Sequence, residues 1–197
     1  MKQSGIPFMG KLVKLGLASI LTAGALFGGT YNVDASHSNV GFKVKHMMIS
    51  NVVGKFDKFN GTFEYDEETN TLKSLVGTVM VSSINTENEK RDKHLKAEDF
   101  FNGKKYPNLT FKLEKIEDDE AHGILTIRDI TKNVVFELEN NGDIKDPWGN
   151  TRVGLELTGK INRSDYGLKY NSLLETGGAI VGDKVKLNIQ IEGILAK

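Results

Sequence analysis

Apolar and polar residues alternate with a period of two over most of this chain from residue 31 onward. The regular runs lie at residues 40–44, 59–65, 109–113, 134–138, 153–157 and 185–191. Such alternation places one side of each strand in an apolar interior and the other in water. Parallel strands covered on both faces would instead read as continuous apolar runs. The pattern therefore predicts an all-β, antiparallel fold.

Polar turn signals separate these runs. Asn141 and Gly142 both tolerate positive φ, which suits a tight hairpin, and residues 146–149 form a second turn signal. Short strands at this spacing predict a sandwich or a barrel. The chain has no cysteine, so core packing and strand ladders alone must hold the fold. A closed barrel does this well, because closure leaves no sheet edge.

Two segments interrupt the alternation. In the first, Thr86 and Glu89 have the spacing of a capping box, which predicts a short helix over about residues 86–97. The second, residues 162–180, carries weak strand signal and a Gly-Gly pair. Irregular segments of this size lie over an open end of a barrel, so we expect both to form lids over the interior.

The N-terminal residues predict export. Lys11 and Lys14 precede an apolar run over residues 15–27, and Ala23-Gly24-Ala25 resembles a cleavage site. We therefore predict a signal peptide over residues 1–29 and one domain over residues 30–197. The alternative is a membrane anchor, but the apolar run is shorter than the roughly 20 residues of a spanning helix. We expect no stable membrane span in the mature chain.

Composition excludes several kinds of function. The whole chain has 26 basic and 26 acidic residues, and the part after residue 29 is slightly acidic. Without a basic stripe, nucleic acid is not an expected partner. The four histidines show no metal-ligand spacing, and no cysteine completes a zinc set. We predict no metal and no catalytic residues, although an enzyme using Asp92 and His94 as acid and base stays an alternative.

The alternation leaves the interior of the barrel undecided. An eight-stranded barrel is near the size at which side chains either fill the interior or leave room for one small ligand. A filled barrel would be an interaction protein that uses its outer face. A hollow one would be a carrier of an apolar molecule. Periodicity favours neither.

Short motifs in a fixed order add a family resemblance. They are Tyr31-x-Val33-Asp34-x-x-His37-Ser38, Val40-x-Phe42-x-Val44-x-His46, Val53-Gly54-x-Phe56-x-x-Phe59-x-Gly61, Arg91-Asp92-x-His94-Leu95, Asp99-Phe100-Phe101, Tyr106-Pro107, Gly123-x-Leu125-Thr126-Ile127-Arg128, Asp146-Pro147-Trp148-Gly149, Asn162-Arg163-Ser164-Asp165-Tyr166-Gly167-Leu168 and Val181-Gly182-Asp183. Each is weak alone. Together they make residues 31–195 resemble the YceI family.

The resemblance implies an eight-stranded, lipocalin-like antiparallel barrel in the periplasm. It implies a bound polyisoprenoid of the quinone or prenyl-phosphate type, or another long amphiphile, as ligand. It also implies a homodimer. It brings no catalytic residue set and no required cofactor.

The predicted ligand-binding residues follow from the inward face of each strand and from the two irregular segments. The lining is predicted to be Phe42, Val44, Phe59, Phe63, Phe111, Leu113, Val134, Phe136, Leu155, Leu157, Leu187 and Ile189. The mouth is predicted to hold Phe100, Phe101, Tyr166 and Leu168. A polar headgroup is expected to meet Arg163, Arg91 or Tyr166.

Overall fold

The computed structural model describes residues 28–171 and 180–197. The strands are β1 (Gly29–Val33), β2 (Asn39–His46), β3 (Ser50–Phe56), β4 (Phe59–Asp66), β5 (Thr71–Met80), β6 (Ile84–Asn85), β7 (Asn108–Glu117), β8 (Glu120–Ile127), β9 (Ile130–Lys145), β10 (Thr151–Asn162) and β11 (Val181–Leu195). One helix, α1 (Glu89–Leu95), and two 3-10 turns, Val81–Ser83 and Arg163–Tyr166, complete the described part. Residues 1–27 of the predicted signal peptide and residues 172–179 of the predicted lid lie outside it.

These segments form a closed barrel of eight antiparallel strands. β1 and β2 together make one interrupted strand along β11, β3 and β4 make the next, and β5 with β6 makes the third. β7 to β11 follow as single strands, each paired with its neighbour in the chain. The pairing of β11 with β1 and β2 closes the ring. The predicted eight-stranded, lipocalin-like barrel is confirmed.

The predicted hairpin at residues 141–142 is wrong. Both residues lie inside β9, where Leu155 pairs with Asn140 and Gly154 pairs with Gly142. Asn141 is therefore an extra, unpaired residue, and Gly142 has a φ of 79°. This is a β-bulge, which uses the same tolerance of positive φ as a tight turn. The chain reverses instead at the predicted turn 146–149, where Gly149 N donates to Asp146 O over 3.0 Å.

The helix exists but begins differently from the prediction. Asn88 is its N-cap and accepts a hydrogen bond from Arg91 N, so the capping box on Thr86 is wrong. Asn caps a helix at least as well as Thr, and it lies directly before the first helical residue. Thr86 is buried and donates its N–H and its hydroxyl to Asp92 Oδ1 over 2.9 and 2.5 Å. No helix within residues 28–171 and 180–197 is long and apolar enough to cross a bilayer.

One end of the barrel is filled by side chains, and we call it the packed end. Tyr31 stacks on Phe63 with ring centroids 5.2 Å apart, and Tyr65 meets Tyr31 edge-on at 6.1 Å. Burial, and then the hydrogen bond to Glu67, raises the pKa of the Tyr31 hydroxyl. The buried members of this cluster are Tyr31, Phe63, Tyr65, Leu72, Leu75, Leu113, Ala121, Phe136, Leu138, Val153, Leu155 and Leu157. This half of the interior has the close packing of a protein core.

Candidate functional site

The other end of the barrel holds an apolar cavity of about 240 Å³. We call it the open end. The β2–β3 hairpin, α1 with the turn that follows it, and residues 163–171 meet there. An apolar cavity of about 150 Å³ is already large enough to stay dry and to bind benzene. This outer cavity is therefore large enough for part of a hydrocarbon chain.

A second apolar cavity of about 120 Å³ lies deeper in the barrel. Residues that line both cavities show that the two are neighbours along the barrel. They are Phe42, Phe56, Leu109, Ile127, Ile161 and Leu187. The deeper cavity reaches Leu75 and Phe136 of the packed end, where the free space stops. We call these two neighbouring cavities the tube; it begins at the open end, and beyond it the packed end is filled by side chains.

Close approaches between rings and glycines keep part of this tube hollow. A Cβ at Gly54 would lie 2.4 Å from Cζ of Phe42, and a Cβ at Gly159 would lie 2.2 Å from Cδ1 of Phe136. Real Cβ atoms do not approach that closely, so each ring occupies space that a side chain would take on any other residue. The rings consequently lie beside the wall. Phenylalanine in the lining is compatible with a hollow interior for this reason.

The predicted ligand-binding residues divide into four groups. Those in the outer cavity are Val44, Phe100, Phe101, Arg163 and Leu168, and those in both cavities are Phe42 and Leu187. Those in the deeper cavity alone are Phe59, Phe111, Phe136, Leu157 and Ile189. Those in neither are Phe63, Leu113, Val134, Leu155 and Tyr166. Alternation identifies the inward face of a strand but not the depth at which the interior is filled, which explains why Phe63, Leu113 and Leu155 lie in the packed end instead.

Several lining residues were missed by the sequence reasoning. They include Val40, Val52, Phe56, Leu109, Leu125, Ile127, Ile161, Tyr170, Val181 and Val185. Val52 and Phe56 share a parity within β3, and Leu125 and Ile127 share one within β8. The period-two signal could have found these four. Tyr170 lies in an irregular segment and carried no comparable signal.

An aromatic cluster lies at the open end, where α1 and its following turn meet residues 163–171. The ring of His94 lies 5.1 Å from that of Phe100 and 4.6 Å from that of Tyr170, both edge-on. Phe100 and Tyr170 are 4.9 Å apart. His94 Nε2 also pairs with Asp99 Oδ2 at 2.7 Å. The cluster joins the two predicted lid segments beside the outer cavity.

Arg163 ties the second lid segment to β11. Its buried guanidinium donates to Gly182 O over 2.9 Å, to Tyr170 O over 2.8 Å, and also to Val181 O and Leu168 O. Burial lowers the pKa of Arg163. Most of its N–H groups are therefore already used by backbone carbonyls. This leaves Arg163 little capacity for the headgroup contact that the sequence suggested.

Replacing Arg163 by Met is expected to lower the free energy of unfolding by about 3 kcal/mol, because several backbone acceptors lose a charged donor. Urea denaturation measures this loss, with the exposed Lys160→Met on β10 as a matched control that changes stability by less than about 0.5 kcal/mol. Faster amide exchange at residues 168 and 182 is expected only for Arg163→Met. If that variant keeps its stability but loses affinity for phosphate-bearing ligands, Arg163 contacts a headgroup instead.

Arg91 lines the outer cavity and keeps an unused donor. Its Nε donates to Thr86 Oγ1 over 2.7 Å and its Nη2 donates to Thr86 O over 2.6 Å. Within the described ranges, no carboxylate lies at ion-pair distance from it, and its Nη1 has no hydrogen bond. Tyr166, by contrast, is buried outside both cavities, and burial raises its pKa to about 12. Of the three predicted headgroup contacts, Arg91 is the one that lines a cavity and has N–H groups without a hydrogen-bond partner among the described residues.

The residues considered for acid-base chemistry do not form a relay. Asp92 is bonded to Thr86, while His94 pairs with Asp99. Asp34, Ser36 and His37 do meet in an exposed turn. There, Ser36 Oγ and Asp34 Oδ2 both contact the same ring nitrogen of His37, at 3.1 and 2.8 Å. A catalytic triad requires the acid and the nucleophile on opposite nitrogens of the histidine.

Two residues of this turn, Asp34 and His37, form with Glu192 on β11 the one cluster in the described part of the chain with metal-ligand geometry. Arg152 already pairs with both carboxylates of this cluster. Its Nη1 lies 3.1 Å from Asp34 Oδ2 and 2.5 Å from Glu192 Oε1. Hydrogen bonds from Ser36, and then from His37, hold the pKa of Asp34 well below its ordinary value. A half-buried cation next to these carboxylates disfavours a metal ion there.

Comparisons with known sequences give one consistent family. The sequence profile of the YceI-like domain matches residues 31–193. The UPF0312 protein SA2479 of Staphylococcus aureus strain N315 is 41% identical over 164 residues, which cover 82% of this chain and 95% of that protein. The UPF0312 protein SAV2687 of strain Mu50 matches to the same extent.

Solved structures agree in fold. The YCEI protein of Campylobacter jejuni is 37% identical, with a TM-score of 0.67 over 83% of this chain and 96% of that one. BcnA of Burkholderia cenocepacia is 21% identical, with a TM-score of 0.68 over 81% and 98%. A polyisoprenoid-binding domain from Saccharophagus degradans is 13% identical, with a TM-score of 0.64 over 84% and 98%. The last two likenesses show the shared fold alone.

Proposed function

Since this chain belongs to the YceI-like domain family, we propose that its barrel binds the tail of an isoprenoid lipid and carries or sequesters it. The lipid is of the quinone or prenyl-phosphate type. The observation that carries the proposal is the tube of two neighbouring apolar cavities, open at one end. The proposed place of action is outside the cytoplasmic membrane, which is the periplasm in a bacterium with an outer membrane. The predicted export signal supports this location.

An isoprenoid tail suits the chemistry of the tube. The lining is almost wholly apolar, and Phe42, Phe56 and Leu187 face both cavities. An isoprene unit has five carbons, so at about 0.8 kcal/mol per buried CH₂ each unit contributes about 4 kcal/mol gross. Eight such units would exceed the limit of non-covalent affinity, about 18–21 kcal/mol. Ordering of the chain must offset part of the gain, and the length of the tube limits how many units contribute.

Affinity is therefore expected to rise with chain length and then to level off. The plateau arises because the deeper cavity ends at Leu75 and Phe136, so later units remain outside the tube. Titration calorimetry with a series of prenyl alcohols of one to eight or more units measures the curve. Equal affinity across the whole series would contradict a tube of fixed depth.

A polar headgroup is proposed to lie at the open end near Arg91, whose Nη1 makes no hydrogen bond to any residue in the described ranges. The same titration with prenyl phosphates tests this contact. Wild-type protein is expected to prefer the phosphate over the alcohol of equal length, and Arg91→Gln is expected to lose that preference while still binding the alcohol. An unchanged preference in Arg91→Gln would exclude this placement of the headgroup.

Native mass spectrometry of the purified protein tests the proposal as a whole. A co-purified mass of several hundred daltons that is released unaltered supports a carrier and also reports whether the proposed homodimer forms. A chemically changed ligand after incubation would instead indicate an enzyme. If neither co-purified nor added prenyl lipid binds, the proposal fails and an interaction protein is the alternative left to test.

A further inference from the structure

The turn between β2 and β3 exposes three consecutive apolar side chains, Met47, Met48 and Ile49. They are 40%, 63% and 85% exposed, respectively. We call these three residues the apolar tip. Three adjacent exposed apolar residues are unfavourable in water and need a functional reason.

The backbone holds the apolar tip in an unusual conformation. Met47 and Met48 have φ angles of 49° and 64°, which residues other than glycine, asparagine and aspartate seldom adopt. Met47 N donates to Ile180 O over 2.8 Å and Ile49 N donates to His46 O over 3.2 Å. These two hydrogen bonds fix the turn. The tip is thus an ordered turn that projects from the barrel.

The apolar tip lies directly beside the open end of the tube. Its neighbours Lys45 and His46, and its hydrogen-bond partner Ile180, all line the outer cavity. A surface that receives the tip would therefore also face the opening through which a chain enters or leaves.

Charge distinguishes the β2–β3 hairpin at this end from the turns of the packed end. The β2–β3 hairpin, residues 39–56, contains three lysines and no acidic residue. Lys43 and Lys45 on β2 are exposed. The turns of the packed end carry Glu67, Glu68, Asp118 and Asp119 and no base. An apolar tip flanked by lysines matches an anionic bilayer, in which apolar side chains enter the interface and lysines meet the headgroups.

We propose that the apolar tip inserts into the surface of an anionic lipid bilayer and seats the open end of the barrel against it. A stable protein interface buries about 800 Å² on each partner and uses 20 or more residues, which a projecting tip of three residues does not offer. Insertion into a bilayer interface needs only a few side chains at a depth of about 5–10 Å. The purpose of this contact rests on the proposed lipid-binding function, whereas the contact itself does not.

Vesicle co-sedimentation of the purified chain tests the proposal. Wild-type protein is expected to bind vesicles of equimolar phosphatidylcholine and phosphatidylglycerol, and to bind vesicles of phosphatidylcholine alone more weakly. The double variant Met48→Glu/Ile49→Glu is expected to lose binding by roughly tenfold or more, because two inserted apolar groups become charged. Because the tip is exposed, these substitutions are expected to leave the fold intact. Equal urea midpoints of unfolding for the variant and the wild type verify this.

The packed end supplies a matched control. Ile144, near the end of β9, is 67% exposed, and Trp148, in the following turn, is 80% exposed. The double variant Ile144→Glu/Trp148→Glu therefore makes the same chemical change at the opposite end. This control is expected to bind vesicles like wild type. Equal losses in both variants, no loss in the tip variant, or no vesicle binding by wild type would each overturn the proposal. So would a tip variant that changes only the oligomeric mass, since the tip would then contact a second copy.

Prenyl-alcohol titration of the same variants separates the two proposals. The tip variant is expected to keep its affinity for a prenyl alcohol added in solution, because the three tip residues line neither cavity. If vesicles bind and prenyl alcohols do not, the proposed lipid cargo is wrong while the membrane contact stands. The reverse result would retain the cargo and reject the membrane contact.

Discussion

Val52→Trp is expected to lower the affinity for a long prenyl alcohol about a hundredfold. Val52 faces the outer cavity near the open end, and its strand neighbour Val44 faces the same cavity. An indole there fills the passage and keeps at least one isoprene unit out of the tube. One unit contributes about 4 kcal/mol gross, and a net loss of about 2.8 kcal/mol corresponds to a hundredfold change.

Val53→Trp is the control, because it introduces the same ring one residue further along β3. Val53 is 65% exposed and points away from the interior, so the affinity is expected to stay at the wild-type value. Titration calorimetry on both variants measures the difference, and circular dichroism verifies that both are folded. Equal affinities for the two variants would mean that the ligand does not occupy the outer cavity.

Phe63→Ala is expected to lower the free energy of unfolding by about 3–5 kcal/mol. The ring is almost fully buried at the packed end, where it stacks on Tyr31 and lies close to Gly193. Removing it leaves a cavity whose walls cannot close around it, and large-to-small changes of aromatic residues in cores have costs of this size. Urea denaturation monitored by fluorescence measures the loss.

Phe59→Ala provides the comparison from the same strand. Phe59 is half-buried and lines the deeper cavity, where free space already exists. Its removal widens that space instead of creating a cavity inside close-packed side chains, so the loss is expected to be clearly smaller, about 1–2 kcal/mol. A stability loss as large as that of Phe63→Ala would show that the two ends of the barrel are packed alike.

The barrel could be predicted because alternation is a local property. Runs such as residues 109–113 and 185–191 specify an inward face without reference to the rest of the chain. The depth of each inward residue depends on strand register instead. Leu113 and Phe111 share one face of β7, yet Leu113 belongs to the packed end and Phe111 to the deeper cavity. No pattern within a single strand separates them.

The mouth was predicted less well because long-range contacts define it. The role of Arg163 depends on the backbone carbonyls of residues 168, 170, 181 and 182, two of which the fold brings from β11. The start of α1 depended on a choice between Thr86 and Asn88, two residues with similar capping ability. Tyr170 joins the aromatic cluster only through tertiary structure.

The stack of Tyr31 on Phe63 fills the interior beyond the tube, so the barrel is not a channel that is open at both ends. If the barrel binds the proposed lipid, the lipid enters and leaves through the same opening, and one molecule does not pass a chain from a donor on one side to an acceptor on the other. A donor and an acceptor would then use that opening one after the other, and the protein would carry the lipid between them.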